Sequence, residues 1–201
     1  MHPFPFRIVL ASGSPRRHEI LDIAGIPHTV RTSHADESRI AYVPGEPERY
    51  VMALAELKGN AVPPAADEAV LSADTVVYEP GTRAIFGKPK DHADAVRMLS
   101  ALSGSTHQVI TGVSLAMGGA WRKTYSVVTE VTFYPLETAE IEEYIRDYPP
   151  YDKAGAYGIQ EQAALFVREI RGDYLNIVGL PVSTVYRVLR EAEEQFEKKQ
   201  A

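Results

Sequence analysis

Two long segments, Thr106 to Met117 and Thr124 to Tyr134, are rich in β-branched residues and are separated by Gly118-Gly119. That pattern predicts an antiparallel hairpin, because β-branched side chains suit a pleated surface and a Gly-Gly pair supplies the turn. Other strands are read around it. Ile8-Val9-Leu10 is a short buried run, residues 28–34 form a second short strand, and Val70 to Tyr78 is a stronger third. Pro80-Gly81 then turns the chain into Ala84-Ile85-Phe86. A second hairpin is expected over Ala164 to Ile170 and Tyr174 to Val178, about Gly172-Asp173.

Helical spacing fills the intervals. Ser14 and Pro15 suit a helix start, Ile20, Leu21 and Ala24 follow in period, and Gly25 is a natural stop. Glu48 to Lys58 carries Val51 and Leu54, with Lys58 one turn later on the same side. Asp91 caps a helix through Val96, Leu99 and Leu102 that stops near Gly104. Glu137 to Tyr148 and the run from Pro181 and Ser183 complete the set, the charged tail 191–201 being expected to fray. The fold class is therefore α/β, a mixed sheet with flanking helices rather than a pure βαβ array. One domain over residues 1–201 is expected, with two lobes around a central cleft.

At 201 residues the chain is long enough to bury a full core. Its net charge of −6 argues against a broad nucleic-acid-binding face. The absence of cysteine excludes disulfides, thiolate zinc sites and cysteine nucleophiles. No stretch is apolar for long enough to span a bilayer and no signal-peptide pattern is present, so a cytoplasmic location is the default expectation.

Several residues sit where packing alone would not place them. Arg16 and Arg17 fall in the first turn of a helix, where cations oppose the macrodipole by a few tenths of a kcal/mol. Free backbone N–H groups beside two arginines suit an anion, phosphate above all. Taken alone, the stretch also reads as a capped helix with solvated arginines. Lys58 either snorkels at the core's edge or delivers its charge into a cleft. Asp74 lies inside an apolar strand, and a buried carboxylate is costly unless paired, hydrogen-bonded or metal-bound. That cost favours a functional Asp74 over a structural one that accepts backbone N–H bonds at a strand end. The loop Tyr148 to Gln160 mixes charge, aromatics and glycines, a composition common at sites and equally compatible with a floppy connection.

Common nucleotide fingerprints are missing. Gly81 and Gly87 precede Lys88 with one residue too many for a P-loop, and Pro89 stands in place of Ser or Thr. The six histidines show no tight ligand spacing, which argues against a histidine metal site and for isolated surface rings. What remains is a set of charges: Arg16, Arg17, Glu37, Lys58, Asp74, Lys88, Asp152 and Lys153. Cations for phosphates with carboxylates for Mg²⁺ or Mn²⁺ make up the inventory of phosphoryl-transfer chemistry.

Six segments, in order, resemble one family. They are Leu10-Ala-Ser-Gly-Ser-Pro-Arg-Arg17, Ser72-Ala-Asp-Thr-Val-Val77, Gly87-Lys-Pro-Lys-Asp91, Leu102-Ser-Gly-Ser-Thr-His-Gln-Val109, Asp152-Lys-Ala-Gly-Ala-Tyr-Gly-Ile-Gln160, and Gly172-Asp-Tyr with Val178-Gly-Leu-Pro181. Together they are similar to the Maf family of nucleoside triphosphate pyrophosphatases. The resemblance implies an elongated bilobal α/β fold related to inosine-triphosphate pyrophosphatases, a cleft, a divalent cation (Mg²⁺, Mn²⁺ or Co²⁺) and commonly a homodimer. It implies hydrolysis of a nucleoside triphosphate to the monophosphate and pyrophosphate. By position, Asp74 resembles the catalytic carboxylate, with Glu37, Lys58 and Lys88 as the other charged cleft residues and Asp74 with Glu37 holding the metal. Arg16, Thr75 and Gln160 resemble the positions used for discrimination, joined by Ser12, Arg17 and Lys153 as candidate substrate-binding residues.

The patterns Asp74-Thr75-Val76 and Tyr157-Gly-Ile-Gln160 are similar to the branch acting on dTTP and UTP. Glu161 stands where many relatives have glycine, and Gly59 where alanine is usual; the first bears on the base pocket, the second on helix stability. The resemblance associates the family both with cleansing of modified nucleotides and with arrest of septum formation. The alternative from another class is a non-catalytic nucleotide-binding regulator of cell division. It would need the arginines and lysines but not an aspartate inside a strand.

Overall fold

The computed structural model describes residues 3–118 and 121–200. Its first half holds strand β1 (Arg7–Leu10), helix α1 (Pro15–Ile23), β2 (Thr29–Val30), α2 (Pro47–Asn60), β3 (Glu68–Glu79), β4 (Ala84–Phe86) and α3 (His92–Leu102). The second half holds β5 (Thr106–Met117), β6 (Arg122–Phe133), α4 (Thr138–Asp147), β7 (Val167–Arg171), α5 (Tyr174–Val178) and α6 (Val182–Gln200). Single 3₁₀ turns lie at Glu37–Arg39, Ala154–Ala156 and Gln162–Phe166.

The strands form one mixed sheet in the order β2-β1-β3-β5-β6-β7, with β4 paired to the far end of β3. β1 runs parallel to β2 and β3, while the β3–β5, β5–β6 and β6–β7 pairs are antiparallel. The hairpin expected from the β-branched segments is the β5–β6 pair, in register from Thr106↔Thr132 to Ala116↔Arg122. Gly119 of its turn lies outside the described residues.

The sheet separates two apolar layers. On one face α2 presses Val51 against Val76 and Ile110. On the other, Leu71, Val113 and Phe133 meet Leu99, Ile145 and Leu189 from the remaining helices. Alternation along β3 sends Ala73 and Val77 to the larger core and Val76 to the α2 side. Asp74 therefore faces α2 and Thr75 faces away from it. A Cβ on Gly112, the cross-strand partner of Asp74, would stand 2.3 Å from the Val51 carbonyl. Only glycine lets α2 cross the sheet at that point, and the crossing aims the end of α2 at Asp74. No helix among the described residues is long and apolar enough to cross a membrane.

Four expectations need correction. Tyr174 to Val178 is not the second arm of a hairpin but helix α5, because Asp173 caps it by accepting from the Leu175 and Asn176 amides. The strand at Ala164 to Ile170 begins only at Val167 and pairs with β6 instead. The strand read over residues 28–34 shrinks to Thr29–Val30, both exposed at the sheet's edge. The charged tail does not fray at residue 191: α6 continues to Gln200, with Phe196 edge-on to Phe6 at 5.7 Å.

Candidate active site

Every candidate side chain named from the sequence lines one cleft of about 990 Å³, a size suited to a nucleotide. Its floor is the loop between β1 and α1. Ser14 occupies the N-cap of α1 but makes no side-chain cap bond; its amide donates to Ser12 Oγ at 3.2 Å instead. Pro15 sits in the first turn and needs no partner.

The two arginines that follow are held by protein acceptors rather than free in solvent. Arg17 Nε donates to the Gly179 carbonyl at 2.8 Å, Nη1 to Ser12 Oγ at 3.2 Å and Nη2 to Thr75 Oγ1 at 3.1 Å. Burial pulls its pKa down, while the Asp74 carboxylate nearby works the other way. Arg17 thereby ties α1, β3 and the end of α5 together. Arg16 reaches across the cleft to Asp152, through Nη1 to the carboxylate at 2.9 Å and Nη2 to the carbonyl at 3.2 Å.

α2 supplies the opposite wall. Tyr50, Leu54 and Lys58 stand at i, i+4 and i+8, one stripe of the helix, and all three line the cleft. Sequence reading found Lys58 and missed Tyr50, although the same spacing marks both. Burial raises the Tyr50 pKa, with Asp74 and Glu37 adding to it. The Lys58 charge is delivered inward rather than snorkelling. Its ammonium lies 2.5 Å from Asp74 Oδ1 and 3.1 Å from Glu37 Oε1.

Asp74 is the buried member of this group, its side chain 13% exposed against 53% for Glu37. Desolvation pushes its pKa up, and this outweighs the opposing pull of Lys58 and Arg17. Glu37 is positioned by a 3₁₀ turn that Asp36 caps, accepting from the Ser38 amide at 3.2 Å and its hydroxyl at 2.6 Å. Beside Asp74, the Thr75 hydroxyl contacts Thr111 Oγ1 at 2.9 Å, on the Arg17 side of the sheet.

The far rim is the loop after α4. Lys153 is buried and bonds Asp152 at 2.9 Å and Glu161 at 3.3 Å. Burial works to raise the Asp152 pKa, but hydrogen bonds from Lys153 and Arg16 overcome it and hold the carboxyl at about 2. Gly155 at φ +70° packs where a Cβ would meet Val77 at 2.7 Å, so the loop lies directly on β3. Gln160 and Lys88 are exposed on the cleft wall, and neither makes a side-chain hydrogen bond or ion pair among the described residues. Behind the loop, His107 Nε2 meets the Tyr157 hydroxyl at 2.9 Å, with both rings buried. This histidine is neither isolated nor on the surface.

Residues 7–192 match the family described as Maf-like protein. The chain belongs to that family. Among curated relatives, a dTTP/UTP pyrophosphatase of Bacillus cytotoxicus is 47% identical over 186 residues, covering 92% of this chain and 95% of the relative. A dTTP/UTP pyrophosphatase of Bacillus cereus is 46% identical over 187 residues, with the same coverage of 92% and 95%. Among solved structures, a nucleoside-triphosphatase / dITP/XTP pyrophosphatase of Mycobacterium abscessus aligns at a TM-score of 0.43 and 11% identity, over 65% of this chain and 76% of that one. A likeness at that score supports no conclusion about function.

Glu161 and Gly59, singled out in the sequence, have physical settings. Glu161 is engaged by Lys153, so it closes the charge chain Arg16–Asp152–Lys153–Glu161 along the rim. Gly59 affects more than helix stability: it is buried, and a Cβ there would stand 2.7 Å from the Ser72 hydroxyl. That hydroxyl donates to Ala55 O of α2 at 2.7 Å, locking the helix to β3 two residues before Asp74.

Proposed function

We propose that the chain hydrolyses dTTP and UTP between the α- and β-phosphates, releasing the nucleoside monophosphate and pyrophosphate. The observation that carries this reading is the pair of carboxylates, Asp74 and Glu37, sharing the Lys58 ammonium inside a cleft rimmed by Arg16 and Lys88. Relatives at 46–47% identity carry the matching name along nearly their whole length. A non-catalytic nucleotide-binding regulator would have no use for the desolvated Asp74.

Asp74 and Glu37 fit a divalent cation, since both converge on one positive charge and oxygen donors suit Mg²⁺, Mn²⁺ or Co²⁺. When bound, such a cation supplies Lewis-acid polarisation of the phosphate oxygens. The remaining work belongs to the chain. Asp74, whose raised pKa makes it a better proton acceptor, orients and deprotonates the attacking water. Lys58, Arg16 and Lys88 offset the charge that develops on the phosphate oxygens. Arg17 has three nitrogens committed to protein acceptors, so its part is to fix Ser12 and Thr75 beneath the phosphates.

The product decides the reading. Incubation of dTTP and UTP with Mg²⁺, Mn²⁺ or Co²⁺ is expected to yield equal amounts of monophosphate and pyrophosphate. Orthophosphate as the first product, or no turnover with any of the three cations, rejects it.

Gln160 offers one donor and one acceptor on the wall of the cleft and reads the pyrimidine edge. Gln160→Ala is expected to narrow the dTTP-to-purine ratio of kcat/KM by about tenfold, the worth of one hydrogen bond, while slowing dTTP less. A uniform fall for all nucleotides assigns Gln160 to structure or catalysis instead.

A further inference from the structure

Outside the cleft, the back of α1 carries a group of side chains that the pyrophosphatase reading does not use. His18 and Asp22 stand one turn apart on the exposed face of the helix, with His18 Nε2 3.4 Å from Asp22 Oδ2. Two ligands held 2.0–2.1 Å from one tetrahedral zinc ion are themselves separated by about 3.3 Å. The helical i, i+4 pair therefore already has the bite of a chelate.

The third member arrives by a tight reversal. α1 ends in a Schellman turn: the Gly25 amide donates to Asp22 O at 2.9 Å and the Ile26 amide to Leu21 O at 2.9 Å, with Gly25 at φ +62°. Pro27 then fixes the next backbone angle. This brings His28 back over the helix, with its Nε2 2.6 Å from His18 Nδ1. The other His28 nitrogen, Nδ1, lies 2.9 Å from the Ile26 carbonyl, which can only accept. The proton thus resides on Nδ1, and Nε2 presents a lone pair toward His18. A ring proton anchored on a backbone carbonyl is the outer support that metal-bound histidines show. One ligand atom from each of His18, Asp22 and His28 lies within 4.8 Å of the others.

We propose that His18, Asp22 and His28 form a surface site for zinc or a similar borderline divalent cation, with water completing the tetrahedron. Imidazole nitrogen distinguishes it from the all-carboxylate pair in the cleft, which suits harder cations. Closing the set requires the His18 ring to turn out of its hydrogen bond with His28, which keeps its anchor on the Ile26 carbonyl. The His18 ring, 50% exposed, has solvent on one side into which to turn. An ion there clips the end of α1 to the approach of β2, and α1 is the helix whose first turn presents Arg16 and Arg17 to the cleft. The site's role is structural: it holds the phosphate-facing helix against the sheet edge. The ten-residue spacing between the histidines hides it from a motif search, and only the Schellman turn brings them together.

Calorimetric titration of the full chain with zinc chloride, in excess Mg²⁺ to occupy the cleft carboxylates, tests this. One zinc per chain is expected, and Mg²⁺ does not displace it. His28→Ala and Asp22→Asn each weaken it by roughly tenfold or more, since even outer-shell partners are worth about 10–100-fold. Zinc raises the thermal midpoint of the wild type and not of these variants, whose midpoints without zinc stay near the wild-type value. Asp74→Asn retains the zinc. Equal uptake by the wild type and both variants, loss of uptake in Asp74→Asn, or no uptake by the wild type at about 100 µM zinc overturns the proposal.

Discussion

Asp74→Asn is expected to lower pyrophosphate release by roughly 10²–10⁴-fold, the scale of a general acid–base group, while leaving stability within about 1 kcal/mol of the wild type or above it. The two halves of this expectation have separate causes. The rate falls because an amide neither accepts the water's proton nor offers a charged oxygen for a cation. Stability holds because the pKa of Asp74 is raised on folding, chiefly by desolvation. Between its unfolded and folded values the native state binds more protons than the unfolded chain, so stability falls as pH rises through that window. Above that window the ionised carboxylate is therefore a net cost, and the isosteric amide removes it. Breaking a buried ion pair ordinarily costs about 3–5 kcal/mol by stranding one charge. Here Glu37 remains 3.1 Å from the Lys58 ammonium and keeps it paired. Turnover and urea unfolding measured on the same variant, the latter without divalent cations, separate the roles. A loss of several kcal/mol with only a modest drop in rate makes Asp74 a structural partner of Lys58 and removes it from the chemistry.

The parts of this fold that were legible in the sequence are those whose signal is periodic and local. β3 and the β5–β6 hairpin follow from β-branched runs, and Gly25 ends α1 by the turn its type predicts. Tyr174 to Val178 misled because Tyr-Leu-Asn-Ile-Val has strand-like composition. Its state is set by polar anchors instead: Asp173 caps the turn, and the buried Asn176 amide donates to Val109 O and Thr129 Oγ1, each at 3.0 Å. The residue types of the site were legible, since a carboxylate in a strand and a lysine on an apolar stripe both break the pattern around them. Their meeting was not. It depends on which face of β3 carries residue 74 and on where α2 crosses the sheet, which Gly112 decides through a contact with Val51, far from it in sequence. The His18–His28 contact was invisible for the same reason, because spacing along the chain says nothing about distance across a turn.

Acid is expected to destabilise the protein through His107 before it reaches the carboxylates whose pKa folding lowers, Asp152 among them. Burial alone pulls this imidazole from its usual 6.5 down to about 4, and its Nδ1 has no partner among the described residues to receive a second proton. The folded ring is therefore neutral across pH 4–6.5, while the unfolded ring is protonated there. The unfolded chain binds more protons in that window, so stability is present above pH 6.5 and is lost as pH falls toward 4. A shift of this size corresponds to about 3 kcal/mol in full and about 2 kcal/mol between pH 7 and 5. The Asp152 carboxyl, held at about 2, contributes its loss only at lower pH. Relief of the Asp74 desolvation acts in the opposite direction as pH falls. Urea unfolding of the wild type and His107→Gln at pH 7 and 5 isolates the ring, because glutamine retains a partner for Tyr157 without titrating. The wild type should lose about 2 kcal/mol more than the variant over this interval. Equal losses in both place the acid sensitivity elsewhere. In the folded state that neutral ring holds Tyr157, three residues before Gln160. Because the folded ring stays neutral between pH 7 and 5, this contact persists over the interval, and KM for dTTP should be as flat in the wild type as in His107→Gln, the ring acting on stability alone.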